Sequence, residues 1–173
     1  LGVDFTTRGK RTDEILGALQ ALWTQDTPEF SGAFYRYSGL KFSPKPLQKP
    51  YPPLLIGGSS AAAHARVARF GDGWHTLRQS PRQFAAGREK ISALAEAAGR
   101  NPSSLHYSLA LPLKFTTKAP SAPLQDRTAL TGTEDDIADT IRAYDAAGVD
   151  ELVVGVSSAD VGENTDALSR LMQ

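Results

Sequence analysis

Cysteine is absent from the 173 residues, which excludes disulfides, thiolate metal ligands and cysteine nucleophiles. Histidine is scarce, with three residues, so we expect no histidine-rich metal site. No apolar run approaches the roughly 20 residues that a membrane-spanning helix needs, and no signal peptide opens the chain, so we expect a cytoplasmic protein that does not contact a membrane. The one methionine is Met172 and the chain opens on Leu1, which leads us to expect an incomplete chain.

Several catalytic and ligand-binding motifs are also missing from the sequence. There is no P-loop, no Rossmann fingerprint, no HExxH and no GxSxG. The charges balance over the whole chain but not along it, because residues 1–125 carry a net charge of +8 and residues 126–173 a net charge of −8. The basic part favours an anionic ligand. Its basic residues are scattered and form no stripe with interleaved aromatics, so nucleic acid is not expected as a partner.

Hydrophobic spacing predicts an amphipathic helix over residues 12–23, followed by an unusual segment at 24–53. That segment holds five prolines within residues 44–53 and several aromatics among glycines, which predicts an extended insertion with room for a short hairpin. Beyond it, short apolar runs alternate with helical patterns. The predicted strands are 53–56, 73–77, 106–116 and 151–156, and the predicted helices are 60–70, 80–99, 133–148 and 164–172. This alternation predicts parallel βαβ units of the α/β class, with no linker between domains.

The ends of these predicted helices carry recognisable signals. Ser80 before Pro81 is typical of an N-cap, and Thr133 with an acidic residue three positions later is typical of a capping box. Gly71 suits the position just after a helix, and Gly148 closes another.

The run Ile56-Gly57-Gly58-Ser59-Ser60 joins a predicted strand to a predicted helix. Glycines let the backbone turn sharply and approach a ligand closely, while serine hydroxyls donate hydrogen bonds. A helix N-terminus adds unpaired N–H groups and the positive end of the helix dipole. The pattern fits an anion-binding turn, and it fits equally a tight βα turn with a serine N-cap and no ligand. The local sequence leaves both interpretations open.

A second candidate site follows in the segment 71–76. His75 and Thr76 lie near the C-terminal end of a predicted strand, where α/β folds gather their ligands. His75 is equally explained as a partly buried structural histidine, and Trp74 is more typical of a core. His64, on the flank of the preceding helix among alanines, is interpreted as structural.

Eight short segments, taken in order, carry a family resemblance. They are RGKRTDE at 8–14, LWT at 22–24, FY at 34–35, PKPLQKP at 44–50, PLLIGGS at 53–59, ARFGDGW at 68–74, LTGTE at 130–134 and AGVDEL at 147–152. Together they resemble the bacterial luciferase-like flavin- and deazaflavin-dependent oxidoreductases, and most of all the F420-dependent branch. The resemblance covers nearly the whole chain.

The resemblance implies a (β/α)8 TIM barrel, of which residues 1–173 form the second half, strands five to eight, with 24–53 as a proline-rich insertion. It also implies a set of ligand-contacting residues. Those expected at the cofactor are Gly57, Gly58, Ser59, Ser60, Gly73 and Trp74, and those expected at the substrate are His75 and Thr76. Catalytic residues stay unidentified, because relatives often draw them from early-barrel elements that this chain does not contain.

The activity implied by the resemblance is that of an oxidoreductase using F420, or FMN as the alternative. It would act on a small organic substrate by hydride transfer or monooxygenation, with the isolated fragment inactive. A competing interpretation is a truncated, non-catalytic module that binds a flavin or phosphate, or assembles, without turnover. A half-barrel exposes two strand edges, so we expect a homo-oligomer.

Overall fold

The computed structural model describes residues 2–156 and 161–171. The chain divides into two compact units, residues 1–54 and 55–173. The smaller unit contains one long helix, α1 (Arg8–Thr24), and a short antiparallel pair, β1 (Phe30–Ser31) with β2 (Arg36–Tyr37). The predicted helix and the short hairpin are therefore both present. No helix in the described part of the chain is long and apolar enough to cross a bilayer.

Glu14 ties the hairpin to α1 within the smaller unit. Its carboxylate accepts three backbone N–H hydrogen bonds, at 2.9, 2.8 and 3.2 Å, from the consecutive residues Ala33, Phe34 and Tyr35. These bonds, that from Phe34 first, hold the pKa of Glu14 below its ordinary value. A Cβ at Gly32 would collide with the same carboxylate, so only glycine fits there.

The larger unit is an α/β sheet with helices between its strands. Its strands are β3 (Leu55–Gly57), β4 (Gly73–Leu77), β5 (His106–Phe115), β6 (Leu130–Gly132) and β7 (Glu151–Val156), and its helices are α2 (Ala61–Phe70), α3 (Pro81–Ala97), α4 (Glu134–Ala146) and α5 (Val161–Leu171). The four predicted strands and four predicted helices are confirmed, with small shifts at their ends. The short strand β6 was not predicted.

Every pairing in this sheet is parallel, in the order β3-β4-β5-β6 with β7 also on β5. Leu113 of β5 lies opposite both Leu130 of β6 and Val156 of β7, so β6 and β7 lie on opposite sides of β5. β6 therefore continues the line of β4. The parallel order confirms the predicted α/β class, and it brings the C-terminal ends of the strands to one side.

Helices cover one face of the sheet, and the core lies there. Its largest fully buried side chains come from strands and helices alike, among them Trp74, Phe84, Ile91, Leu109, Leu111, Leu130 and Tyr144. Strand residues alternate between faces. Leu55, Leu77 and Val153 point to the other face and keep 41%, 63% and 44% of their surface exposed. We call this second side the uncovered face.

The predicted helix caps at Ser80 and Thr133 are confirmed, since each hydroxyl accepts the backbone N–H three residues on and forms a capping box. Gly148 ends α4 with φ of +84°, as expected for a glycine in the left-handed region. Gly71 directly follows α2, as predicted, but it does not adopt the left-handed conformation that a glycine at a helix end often has. Its φ is −80°, and glycine is needed because a Cβ would lie 2.9 Å from the side chain of Ile56.

Candidate functional site

The turn from β3 leads into the N-terminus of α2, where some backbone N–H groups have no acceptor within the helix. Ser60 is the N-cap, and its hydroxyl accepts the N–H of Ala63 at 3.2 Å. The two N–H groups before that, of Ala61 and Ala62, have no acceptor inside the helix. The turn therefore presents N–H groups and the positive end of the α2 dipole, as an anion requires. Its two serines, Ser59 and Ser60, are both exposed.

Trp74 supports this turn from beneath. Its Nε1 donates a hydrogen bond of 2.6 Å to the Gly58 carbonyl, and its ring is fully buried between Phe84 and His64, with centroids 5.0 and 5.2 Å away. A trans peptide points its C=O and N–H in opposite directions. Since the carbonyl points to Trp74, the N–H of Ser59 points away from the core. Direct contact of Trp74 with a cofactor stays a prediction; the structure shows it holding the turn.

Three glycines are predicted to contact the cofactor, and they differ in whether the fold itself requires a glycine at that position. Gly58 has φ of +103°, which other residues rarely adopt. A Cβ on Gly73 would collide with the His106 carbonyl of β5, so the packing requires glycine there. Gly57 has neither reason, because a Cβ would meet nothing closer than the His75 carbonyl at 3.9 Å. Its missing side chain leaves open space on the uncovered face.

A cavity of about 210 Å³ lies beside the turn, between α2 and α3. Ser59, His64, Gln83 and Lys90 are among the residues that line it. Ser59 and Trp74, which also lines it, were predicted as site residues.

His64, which the sequence analysis interpreted as structural, also lines this cavity. It is 7% exposed, and its Nε2 has no hydrogen-bond partner among the described residues. Burial, reinforced by repulsion from Lys90, lowers the pKa of His64 below its ordinary value. A phosphate oxygen in the cavity would give Nε2 a partner and Lys90 a counter-charge. The only sequence signal was that His64 stands one helical turn after Ser60.

His75 and Thr76 were predicted together at the substrate, and the structure separates them. Adjacent strand residues point to opposite faces. His75 lies on the uncovered face, half-buried, with Nδ1 3.0 Å from Ser108 Oγ. Thr76 is 3% exposed and faces the helices, on the same side as Trp74. The two side chains therefore lie on opposite faces of the sheet, and contact of either with a substrate stays a prediction.

In residues 2–156 and 161–171 no group of three or more potential ligands is placed to hold a metal ion. The predicted cofactor residues Gly57, Gly58, Ser59 and Ser60 do come together, as one turn at the end of β3. Gly73 lies deeper in the sheet, opposite Leu55 and His106.

Comparison with known proteins gives relatives at the level of sequence. A family model described as luciferase-like monooxygenase matches residues 1–122. An FMNH(2)-dependent dimethylsulfone monooxygenase from Pseudomonas putida is 40% identical over 92 residues, which are 53% of this chain and 25% of that protein. An uncharacterized protein from Mycobacterium bovis is 37% identical over 107 residues, 61% of this chain and 36% of that one.

Solved structures with little sequence identity share the fold. An F420-dependent secondary alcohol dehydrogenase, in complex with an F420-acetone adduct, matches with a TM-score of 0.80 and 16% identity over 99% of this chain and 63% of its own. A long-chain alkane monooxygenase matches with a TM-score of 0.76 and 12% identity over 98% and 56%. The fold is therefore the predicted partial TIM barrel. The chain spans less than two thirds of the length of each of these proteins.

Proposed function

Because the chain belongs to the luciferase-like monooxygenase family, we propose that its turn at 57–60 binds the phosphate of a flavin or deazaflavin cofactor in an oxidoreductase acting on a small organic substrate. Gly57 carries the proposal. Neither its backbone conformation nor its packing requires glycine, yet a ligand that passes close to the strand does. The orphaned Nε2 of His64, beside the same turn, supports an anionic ligand there.

Each residue of the turn has a defined part in holding the phosphate. The N–H groups of Ser59, Ala61 and Ala62 donate to its oxygens, and the Ser59 hydroxyl adds a further donor. Lys90 supplies a positive charge across the cavity. The bound cofactor supplies the redox chemistry, and the protein fixes the position of the cofactor and excludes competing reactions.

The cofactor proposed first is FMN, with monooxygenation as the reaction. The sequence segments favoured F420, but the relative at 40% identity is FMNH(2)-dependent, and we give that sequence identity more weight than likeness of fold at 16% identity. F420 with hydride transfer is the second candidate, supported by the fold of the F420-dependent alcohol dehydrogenase.

The isolated 173-residue chain is expected to bind the cofactor without turnover. The matched region spans 25% of the dimethylsulfone monooxygenase and 63% of the alcohol dehydrogenase, so each of those proteins contains further chain beyond the part matched here. A non-catalytic binding module is the competing function. Turnover by a longer form that includes this chain would exclude the module, and cofactor binding by that form without turnover would favour it.

Gly57→Ala tests the proposed site. Alanine fits the open space, so we expect unchanged stability or a gain of about 0.5 kcal/mol, because glycine costs entropy on folding. We expect FMN affinity, followed by quenching of its fluorescence, to fall at least tenfold, about 1.4 kcal/mol, because the methyl group occupies the ligand's space.

Gly155→Ala is the matched control for this variant. Gly155 also lies on the uncovered face, on β7, and a Cβ there would meet nothing closer than the Leu111 carbonyl at 3.9 Å. We expect its FMN affinity to equal that of the unmodified chain. Equal affinity of both variants for FMN would contradict the site, and absence of binding of either FMN or F420 to the unmodified chain would contradict the proposed function.

A further inference from the structure

One row of residues crosses four neighbouring parallel strands, from Gly57 at the C-terminal end of β3, beside the turn, to Glu151 at the N-terminal end of β7. Gly57 of β3 lies opposite His75 of β4, His75 lies opposite Ser108 of β5, and Ser108 lies opposite Glu151 of β7. Residues directly opposite one another in neighbouring strands share a face. We call these four residues the polar row. It lies on the uncovered face, and the open space over Gly57 adjoins His75.

The polar row is connected by hydrogen bonds. His75 Nδ1 lies 3.0 Å from Ser108 Oγ, and Ser108 is fully buried. On the other side, hydrogen bonding from the Ser108 hydroxyl, followed by that from His106, lowers the pKa of Glu151 below its ordinary value. His106 Nε2 lies 3.5 Å from Glu151 Oε2. Glu151 is therefore a carboxylate at neutral pH.

Ser108 lies opposite Glu151 in the sheet register, and an ionised Glu151 there favours one direction of hydrogen bonding along the row. A carboxylate only accepts, so the single hydroxyl proton of Ser108 goes to Glu151. Ser108 Oγ is then left to accept, and Nδ1 of His75 must carry the proton that it donates. In a neutral imidazole this leaves the lone pair on Nε2. Among the described residues, no side chain donates to that Nε2.

We propose that Nε2 of His75 accepts a hydrogen bond from a hydroxyl of the cofactor's ribityl chain, with Ser108 and Glu151 as positioning residues that fix the ring and its tautomer. The proposal rests on the proposed function. FMN and F420 share this hydroxylated chain between ring and phosphate. A phosphate on the turn at 57–60 leads the chain past the open space over Gly57, and His75 is the neighbour of Gly57 in the polar row. His75 is thereby assigned to the cofactor rather than to the substrate.

The tautomer of His75 is measured by nitrogen-15 NMR of the 173-residue chain at about pH 9, where a histidine is normally neutral. We expect Nδ1 to carry the proton in the unmodified chain. In Ser108→Ala and in Glu151→Gln we expect much of that signal to be lost to the Nε2–H form. Glu89→Gln, at an exposed glutamate of α3, is the matched control and should change nothing. An Nε2–H tautomer in the unmodified chain, or an unchanged tautomer in both variants, would overturn the proposal.

Two probes, compared by calorimetry, separate the ribityl contact from the phosphate site. Inorganic phosphate tests the turn alone, and ribitol 5-phosphate adds the hydroxylated chain. We expect ribitol 5-phosphate to bind more tightly than phosphate. His75→Ala and Glu151→Gln should weaken its binding about fivefold, the effect of one neutral hydrogen bond, and leave phosphate binding unchanged. Phosphate binding with no advantage for ribitol 5-phosphate, or with no effect of either variant, overturns the ribityl contact alone. Absence of phosphate binding overturns the proposed function with it.

Discussion

Trp74 supports the turn of the candidate site through its 2.6 Å hydrogen bond to the Gly58 carbonyl. Trp74→Phe keeps an aromatic ring and removes that donor. We expect the free energy of unfolding to fall by about 2 kcal/mol, because the smaller ring leaves space and the carbonyl loses its partner. We also expect phosphate affinity, measured by calorimetry, to fall about fivefold, because the N–H of Ser59 is no longer held outward.

Trp23→Phe is the control for this prediction, since Trp23 belongs to α1 and is the other tryptophan of the chain. Its phosphate affinity should not change. A Trp74→Phe variant that loses stability but keeps its phosphate affinity would show that the tryptophan only fills space.

Single residues of the site differ in how far the sequence predicts them. The local sequence predicts a turn at residues 57–60, because glycine and serine between a strand and a helix favour one, and it leaves open whether that turn binds a ligand. The place of His64 beside the cavity could not be predicted from the sequence, because it depends on the packing of α2 against α3, which carries Lys90. The placement of His75 and Thr76 on opposite faces of the sheet could have been predicted from the sequence, because successive side chains of a strand alternate between faces. The partnership of His75 with Ser108 depends on sheet register, which no local pattern contains.

Arg100 stabilises α2, the ten-residue helix whose N-terminus forms the site. Its guanidinium donates to three carbonyls at the C-terminal end of α2, those of Val67, Ala68 and Gly71, at 3.1, 3.0 and 2.7 Å. Arg100→Ala should lower the free energy of unfolding by about 2 kcal/mol, since these carbonyls lose a charged donor that also opposes the helix dipole. Arg100→Lys should lose less, because it keeps the charge but not the planar fork. Urea unfolding measures both.

Arg142→Ala provides the comparison at the same scale. Arg142 is exposed on α4 and pairs with Asp139 of the same helix, at 2.6 Å. Such a pair contributes little, so we expect a change within about 0.5 kcal/mol. An effect of Arg100→Ala no larger than that of Arg142→Ala would contradict the capping role.

At the scale of elements, apolar runs were enough to predict the long strands, and capping residues were enough to predict where helices begin, as at Ser80 and Thr133. β6 escaped prediction because it is three residues long and has no apolar pattern of its own. It forms because β5 extends beyond β4, so that residues 113–115 have unpaired backbone groups on that side. α1 begins at Arg8 rather than 12, because a 3-10 turn at Phe5–Thr7, capped by Asp4, leads directly into it.

At the scale of the whole molecule, the alternation of strands and helices was enough to predict the α/β class, and the partial barrel was predicted from the family resemblance. The two compact units divide after residue 54, directly beyond the proline-rich stretch that the sequence interpretation treated as an insertion. The homo-oligomer stays a prediction. Its basis is that β3 and β7 are edge strands of the described sheet, and edge strands present unpaired backbone groups to another chain.

Acid is expected to destabilise the molecule. Four carboxyl groups have pKa values lowered first by a hydrogen bond to the ionised form, those of Asp4, Glu14, Asp136 and Glu151. The stability they contribute is present above their unfolded values of 3.8 to 4.5 and is lost as the pH falls through their folded values. Burial lowers the pKa of His64, so its contribution is present above about 6.5 and is lost below that pH. Urea midpoints should therefore fall steadily below about pH 6.5.

Alkali should destabilise the molecule through its buried tyrosines. Burial raises the pKa of Tyr37 and Tyr144 above 10.0, and the Tyr144 hydroxyl lies 2.9 and 2.7 Å from the carbonyls of Gln79 and Arg127. A raised pKa means that the folded state keeps its proton longer, so this stability is present below about pH 10 and is lost above it. Tyr144→Phe should lower the urea midpoint at neutral pH, by about 1 kcal/mol in free energy, yet flatten the alkaline decline. Tyr35→Phe should leave that decline intact, and an unchanged decline in Tyr144→Phe would contradict the assignment.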